Sequence, residues 1–113
     1  ESDRWIDFDF CGHQLVAHLV APEDHPMATF NGVDGEQIPS SHFGLILQWD
    51  QYELLVSRLK EKAVKFVIEP TVRFEGRKGE QATLFICDPS GNHLEFKAFR
   101  DLDALFDRDL DKY

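Results

Sequence analysis

This sequence predicts an α+β domain made mostly of strands, on three observations. Only one stretch, Asp50 to Ala63, repeats apolar residues at helical spacing over several turns. Short alternating stretches surround it, so the second half reads strand–helix–strand–strand–strand. Ten phenylalanines in 113 residues favour a sheet-rich core. The chain is 42% hydrophobic and 29% charged, the balance of one globular domain over residues 1–113. A chain of this length buries roughly two-thirds of its unfolded surface, enough for a core without covalent staples.

Trp5–Phe10 alternates Ile6, Phe8 and Phe10 against Asp7 and Asp9, and is a half-buried strand. Cys11-Gly12-His13 is a turn and Gln14–Val20 the returning strand, with Gln14, Val16 and His18 on one face. Ala21–Ser41 holds three prolines and no period, which predicts a long loop of the kind that serves as a lid or stays disordered. Ser41–Gln48 is a third strand. Asp50 is the expected helix N-cap with Glu53 three residues on, followed by Tyr52, Leu55, Val56, Leu59 and Ala63 on one face. Val64–Ile68 is a strand ended by Pro70, Gly76–Glu80 a hairpin loop, and Ala82–Cys87 another strand. Asp88-Pro89-Ser90-Gly91 suits a type I turn, with Pro fixing φ at its second position. The last strand points His93, Glu95, Lys97 and Phe99 one way and Leu94, Phe96 and Ala98 the other. After Arg100, Leu102, Leu105, Phe106 and Leu110 fall near helical spacing, giving a tail helix over 100–113.

A net charge of -9 repels nucleic acid and anionic lipid, so neither is an expected partner, and no apolar run reaches the roughly 18 residues of a membrane helix. A cytoplasmic location is the expectation. Cys11 and Cys87 lack metal-type spacing and are expected as reduced core or near-core thiols. The chain opens Glu1-Ser2-Asp3-Arg4 and runs straight into a strand, which suggests that the native N-terminus lies upstream.

Three strands each place a metal-competent side chain near their middle: His18, His42 and Glu95. Two imidazoles and a carboxylate are a common ligand set for catalytic Zn, Fe or Mn with positions left for water or substrate. Taken singly, a strand histidine is more often an ordinary hydrogen-bonded or exposed residue, and a strand glutamate a solvated one. The spacings of 24 and 53 residues match no local motif.

Residues 79–99, GEQATLFICDPSGNHLEFKAF, together with HFGLIL and the helix after it, resemble the vicinal oxygen chelate superfamily of glyoxalases, bleomycin-resistance proteins and extradiol dioxygenases. DPSGNHLEF is close to that superfamily's closing turn-and-strand signature, D-P-x-G-N-x-x-E. The resemblance implies paired βαβββ modules forming a curved mixed sheet around a cavity. Residues 41–99 would be the complete second module, 1–22 the end of an N-terminally truncated first module, 23–40 the loop between them and 100–113 a tail. By position it implies His42 and Glu95 as metal ligands and puts His18 where glyoxalases carry Glu; a fourth position has no counterpart here.

That set resembles the facial ligands of extradiol dioxygenases more than the set of glyoxalases. It implies a divalent metal, Fe(II) first and Zn, Mn or Ni otherwise, that chelates vicinal oxygens of a small-molecule substrate. His18, Lys97 and Gln81 would be the catalytic or substrate-orienting groups, with His13 and His93 as weaker candidates and Glu80 a hairpin charge. A homodimer is the expected assembly. Two alternatives stay open: a metal-free ligand-sequestering protein of the bleomycin-resistance kind, and a thiol transferase of the fosfomycin-resistance kind, for which no dedicated basic set is visible.

Overall fold

The computed structural model describes residues 2–33 and 35–106. Its centre is a four-stranded sheet in the order β5-β8-β7-β6, made by Phe43–Leu47 (β5), Phe66–Arg73 (β6), Gln81–Cys87 (β7) and His93–Phe99 (β8), with helix α1, Trp49–Glu61, between β5 and β6. β5 and β8 run parallel, and the other two pairs are antiparallel. This is the βαβββ module the sequence predicts. Ahead of it stand two hairpins, Trp5–Phe10 (β1) with His13–His18 (β2), and Phe30–Val33 (β3) with Glu36–Pro39 (β4).

One face of the central sheet takes the helix. Tyr52, Ala82, Leu84, Phe96 and Ala98 are all at most 8% exposed, and Leu55, Val56 and Leu59 of α1 pack against them. The alternation read from β8 decides the layers: Leu94, Phe96 and Ala98 face the helix, which leaves Glu95 and Lys97 on the other face. The β7 residues opposite Glu95 and Lys97, Phe85 and Thr83, share that open face. The Tyr52 hydroxyl is buried and finds no hydrogen-bond partner among the described residues, and burial raises its pKa from 10.0 to about 12.

Several boundaries differ from the sequence expectation. The helix starts earlier: Gln48 rather than Asp50 is its N-cap, and the Gln51 side chain accepts the Gln48 N–H at 3.1 Å, so an amide does the work assigned to Glu53. It ends in a Schellman pattern, Ala63 N–H to Lys60 O at 3.0 Å and Val64 N–H to Leu59 O at 2.9 Å, with Ala63 at φ 55° where glycine is usual. β6 runs through Pro70 to Arg73, because its register with β7 is irregular between Ile68 and Thr71 and needs no ladder donor there. The segment read as a loop carries a 3-10 turn, Pro22–Asp24, and the β3–β4 hairpin, too short to show a period. Both cysteines are free and exposed rather than near-core, Cys11 in the β1–β2 turn and Cys87 at the end of β7. The tail is a single 3-10 turn, Leu102–Ala104, and the rest of the proposed tail helix, residues 107–113, lies outside the described residues.

Three local devices hold the module's ends. The Asp88 carboxylate accepts the backbone N–H groups of Ser90 and Asn92 at 2.9 and 2.8 Å and the Asn92 amide at 2.9 Å. Burial opposes its charge, but those bonds outweigh it and hold the carboxyl below its ordinary range. Glu80 accepts from the Gly76 N–H and the Arg100 guanidinium, which lower its pKa. That guanidinium also lies 3.5 Å from the centre of the Trp49 ring, joining the end of β8 to the start of α1.

Candidate functional site

The open face carries the polar cluster. In the sheet register Glu95 lies between Gly44 of β5 and Phe85 of β7. A side chain at position 44 would overlap the Glu95 backbone carbonyl, so glycine lets β5 come this close to β8. His42 sits one residue before β5, its ring edge-on to Phe85 with centroids 5.0 Å apart. Its Nδ1 is 2.8 Å from the Pro39 carbonyl oxygen. A carbonyl only accepts, so Nδ1 carries a proton, and in the tautomer with one ring proton Nε2 presents a lone pair. Nε2 is 3.4 Å from Glu95 Oε1.

The other carboxylate oxygen, Oε2, is held from two sides. The Thr83 hydroxyl donates to it at 2.5 Å and Lys97 Nζ is 3.5 Å away. Thr83 is only 2% exposed, so the hydroxyl has a fixed seat. A cation and a hydroxyl donor thus meet the Glu95 carboxylate on the same oxygen. Oε1 and His42 Nε2 are then two acceptors left side by side, which is the donor chemistry of a divalent-cation site with two protein ligands. They open onto a cavity of about 260 Å³ lined by His42, Phe43, Gly44, Leu45, Ile46, Glu95 and Lys97. His42 and Phe43 also line a larger neighbouring cavity of about 670 Å³, on the side of the 22–29 segment.

The structure therefore brings together His42, Glu95 and Lys97 of the sequence-predicted set. Gln81 lies further along the open face, paired with Phe99, and its Nε2 donates to the Gly79 carbonyl at 3.3 Å. His18 stands on the exposed end of β2 with its ring 6.4 Å from that of Trp5. Among the described residues no group of three or more His, Cys, Asp or Glu side chains is arranged to hold a metal, so His18 does not join the pair within the chain. His13 is exposed at the hairpin turn, and His93 lines the larger cavity with its ring edge-on to Phe30. Sequence reasoning missed Thr83 and Gly44. The inward alternation of Gln81, Thr83 and Phe85 along β7 and a glycine inside an apolar strand were the available signals.

The model of the Glyoxalase/Bleomycin resistance protein/Dioxygenase superfamily matches residues 1–96. The chain belongs to that superfamily. A solved glyoxalase/bleomycin resistance protein/dioxygenase from Alicyclobacillus acidocaldarius is 31% identical, with a TM-score of 0.70 over 94% of this chain and 74% of that one. A second structure, described as a conserved domain protein, is 22% identical with a TM-score of 0.51 over 88% of this chain and 74% of its own, and shares the fold. Comparison with curated proteins gave no match. Superfamily members bind small molecules, often as dimers, and commonly use divalent metals. Among the described residues no helix of this member is long and apolar enough to cross a membrane.

Proposed function

We propose that this protein is a divalent-metal-dependent enzyme, dioxygenase-like, acting on a small substrate with two neighbouring oxygens. The observation that carries the reading is the Pro39–His42 hydrogen bond, which fixes the tautomer and leaves Nε2 beside Glu95 Oε1. His42 and Glu95 would hold the metal, Fe(II) first. Bound there, a metal supplies Lewis acidity to the substrate oxygens. Lys97, with its ammonium on the same face, meets negative charge developing on the substrate and can hold a proton at Nζ. Thr83 keeps Glu95 turned so that Oε1 faces the cavity, and Gln81 extends the wall that orients the substrate.

His18 completes the ligand set from the β1–β2 hairpin of a second copy in a homodimer. Ile6 and Phe8 of that hairpin are 43% and 48% exposed, an apolar surface for such pairing to cover.

Metal content by mass spectrometry tests this, on parent protein and on the His42→Ala, Glu95→Gln and Thr83→Val variants. About one metal per chain is expected in the parent, with sharp loss in the first two and partial loss in Thr83→Val. Little metal in a parent incubated with Fe(II), unchanged across the variants, would sink the reading. Apolar residues in the larger cavity, Pro22, Met27 and Phe43 among them, favour one alternative: a metal-free binder that sequesters a small ligand.

A further inference from the structure

The larger cavity has a composition unlike the rest of the chain. It encloses about 670 Å³, within the roughly 300–1,000 Å³ common for sites that take a small molecule. Acidic residues make up 21 of the 113, yet among the described residues that line this cavity none is Asp or Glu. Three of the chain's five histidines, His25, His42 and His93, line it instead, beside apolar surface from Pro22, Met27 and Phe43.

The imidazoles are presented in a specific way. His25 Nδ1 lies 3.0 Å from the Pro26 carbonyl oxygen, and His42 Nδ1 makes the same kind of bond to Pro39. In both rings Nδ1 donates to backbone, so Nε2 is the nitrogen left for a partner. The His93 ring is steadied by Phe30, 5.9 Å away. An imidazole Nε2 and an acidic oxygen bond through one shared proton, which either partner can hold. A cationic ligand gains nothing here, because among the described lining residues no carboxylate meets it.

We infer that this cavity is the subsite for the body and acidic group of a small aromatic acid, held by His25 and His93 while its far end reaches the His42–Glu95 pair. The inference deepens the reading of that pair as a small-molecule site and rests on it. His42 and Phe43 line both cavities, so the two adjoin at that wall.

The test uses the full chain stripped of metal with EDTA, so that it does not depend on metal loading. Three probes of one shape are titrated: 2-naphthoate, neutral 2-naphthamide and the cationic 2-naphthylmethylamine. The imidazole Cε1–H resonances are followed by NMR, assigned through single His→Asn variants. With 2-naphthoate, those of His25, His42 and His93 are expected to shift while that of His13, on the β1–β2 hairpin, stays still. The amide should bind at least fivefold more weakly and the amine weaker again. His93→Asn and His25→Asn should each weaken 2-naphthoate at least fivefold, with the parent shifts giving an answer independent of how well either variant folds. The inference is overturned if 2-naphthoate leaves the three cavity histidines unmoved, or if the three probes bind alike. It is overturned too if both well-folded variants bind 2-naphthoate like the parent. Metal content is measured separately, so a failed metal reading with selective 2-naphthoate binding leaves an acid-binding protein, and the reverse leaves the metal pair alone.

Discussion

The β1–β2 hairpin and the β5–β8 module are written in the same alternating code and end in different states. In the module the alternation is cashed as burial: Leu84 and Ala98 are fully covered, and Phe96 nearly so. In the hairpin, Ile6, Phe8 and Val16 remain about two-fifths or more exposed, and Phe10 is the residue that reaches the module, its ring about 6 Å from those of Phe43 and Phe96. Alternation specifies a strand and a face; what covers that face is decided elsewhere in the molecule. An isolated two-stranded hairpin is marginal in water, so the cohesion of the described fold belongs to the module.

Glycine provides the sharpest break between the two regions. Gly44→Ala would push a methyl group into the Glu95 carbonyl and force β5 away from β8. It is expected to cost roughly 4 kcal/mol or more in urea unfolding, among the exceptional single-residue effects. Gly12→Ala, at φ 85° with nothing within 4 Å of the added carbon, should cost only about 1–2 kcal/mol from backbone strain. Equal costs would mean that the two regions unfold with equal weight.

Truncating large apolar residues probes the same contrast. Leu84→Ala, at 0% exposure, is expected to lose about 2–5 kcal/mol, against under about 1 kcal/mol for Phe8→Ala in dilute protein. A cost for Phe8→Ala that grows with protein concentration would reveal a second copy covering the hairpin.

Within the module, Tyr52→Phe removes a buried hydroxyl that lacks a partner among the described residues. Stability at pH 7 should hold or rise by up to about 1 kcal/mol. The phenol's pKa is raised on folding from 10.0 to about 12, so the native state keeps a proton that the unfolded chain gives up. Its contribution is intact below about pH 10 and fades as pH climbs toward 12, by up to about 1.4 kcal/mol per pH unit. Urea midpoints compared at pH 9 and 11.5 should show a shallower fall in the variant. A gain of comparable size is expected at the end of α1, where Ala63→Gly relieves a left-handed alanine and should add about 1 kcal/mol in urea unfolding.

Sequence alone was most informative where one periodicity ran long enough. The helix face from Tyr52 to Leu59 and the two faces of β8 were both legible, and with them the side on which Glu95 and Lys97 would stand. The β3–β4 hairpin was not, since four-residue strands that themselves contain Gly32 and Pro39 look like loop. Thr83 was hidden because a threonine in an apolar run reads as strand propensity, whereas its hydroxyl is spoken for by a carboxylate twelve residues away. His18 shows the limit from the other side. Its residue type and strand fit a ligand, but a side chain's strand does not say which sheet that strand will join.

The sheet order has a consequence for how the module comes into being. β8 is the last of the described strands and lies between β5 and β7, so β5 has no place in this sheet until residues 93–99 are available. Closing that contact spans about fifty residues, a slow and entropically costly loop. The His42–Glu95 pair is therefore born with the final seam, and a chain that stalls before it presents β5 and β7 as two unpaired edges open to other molecules.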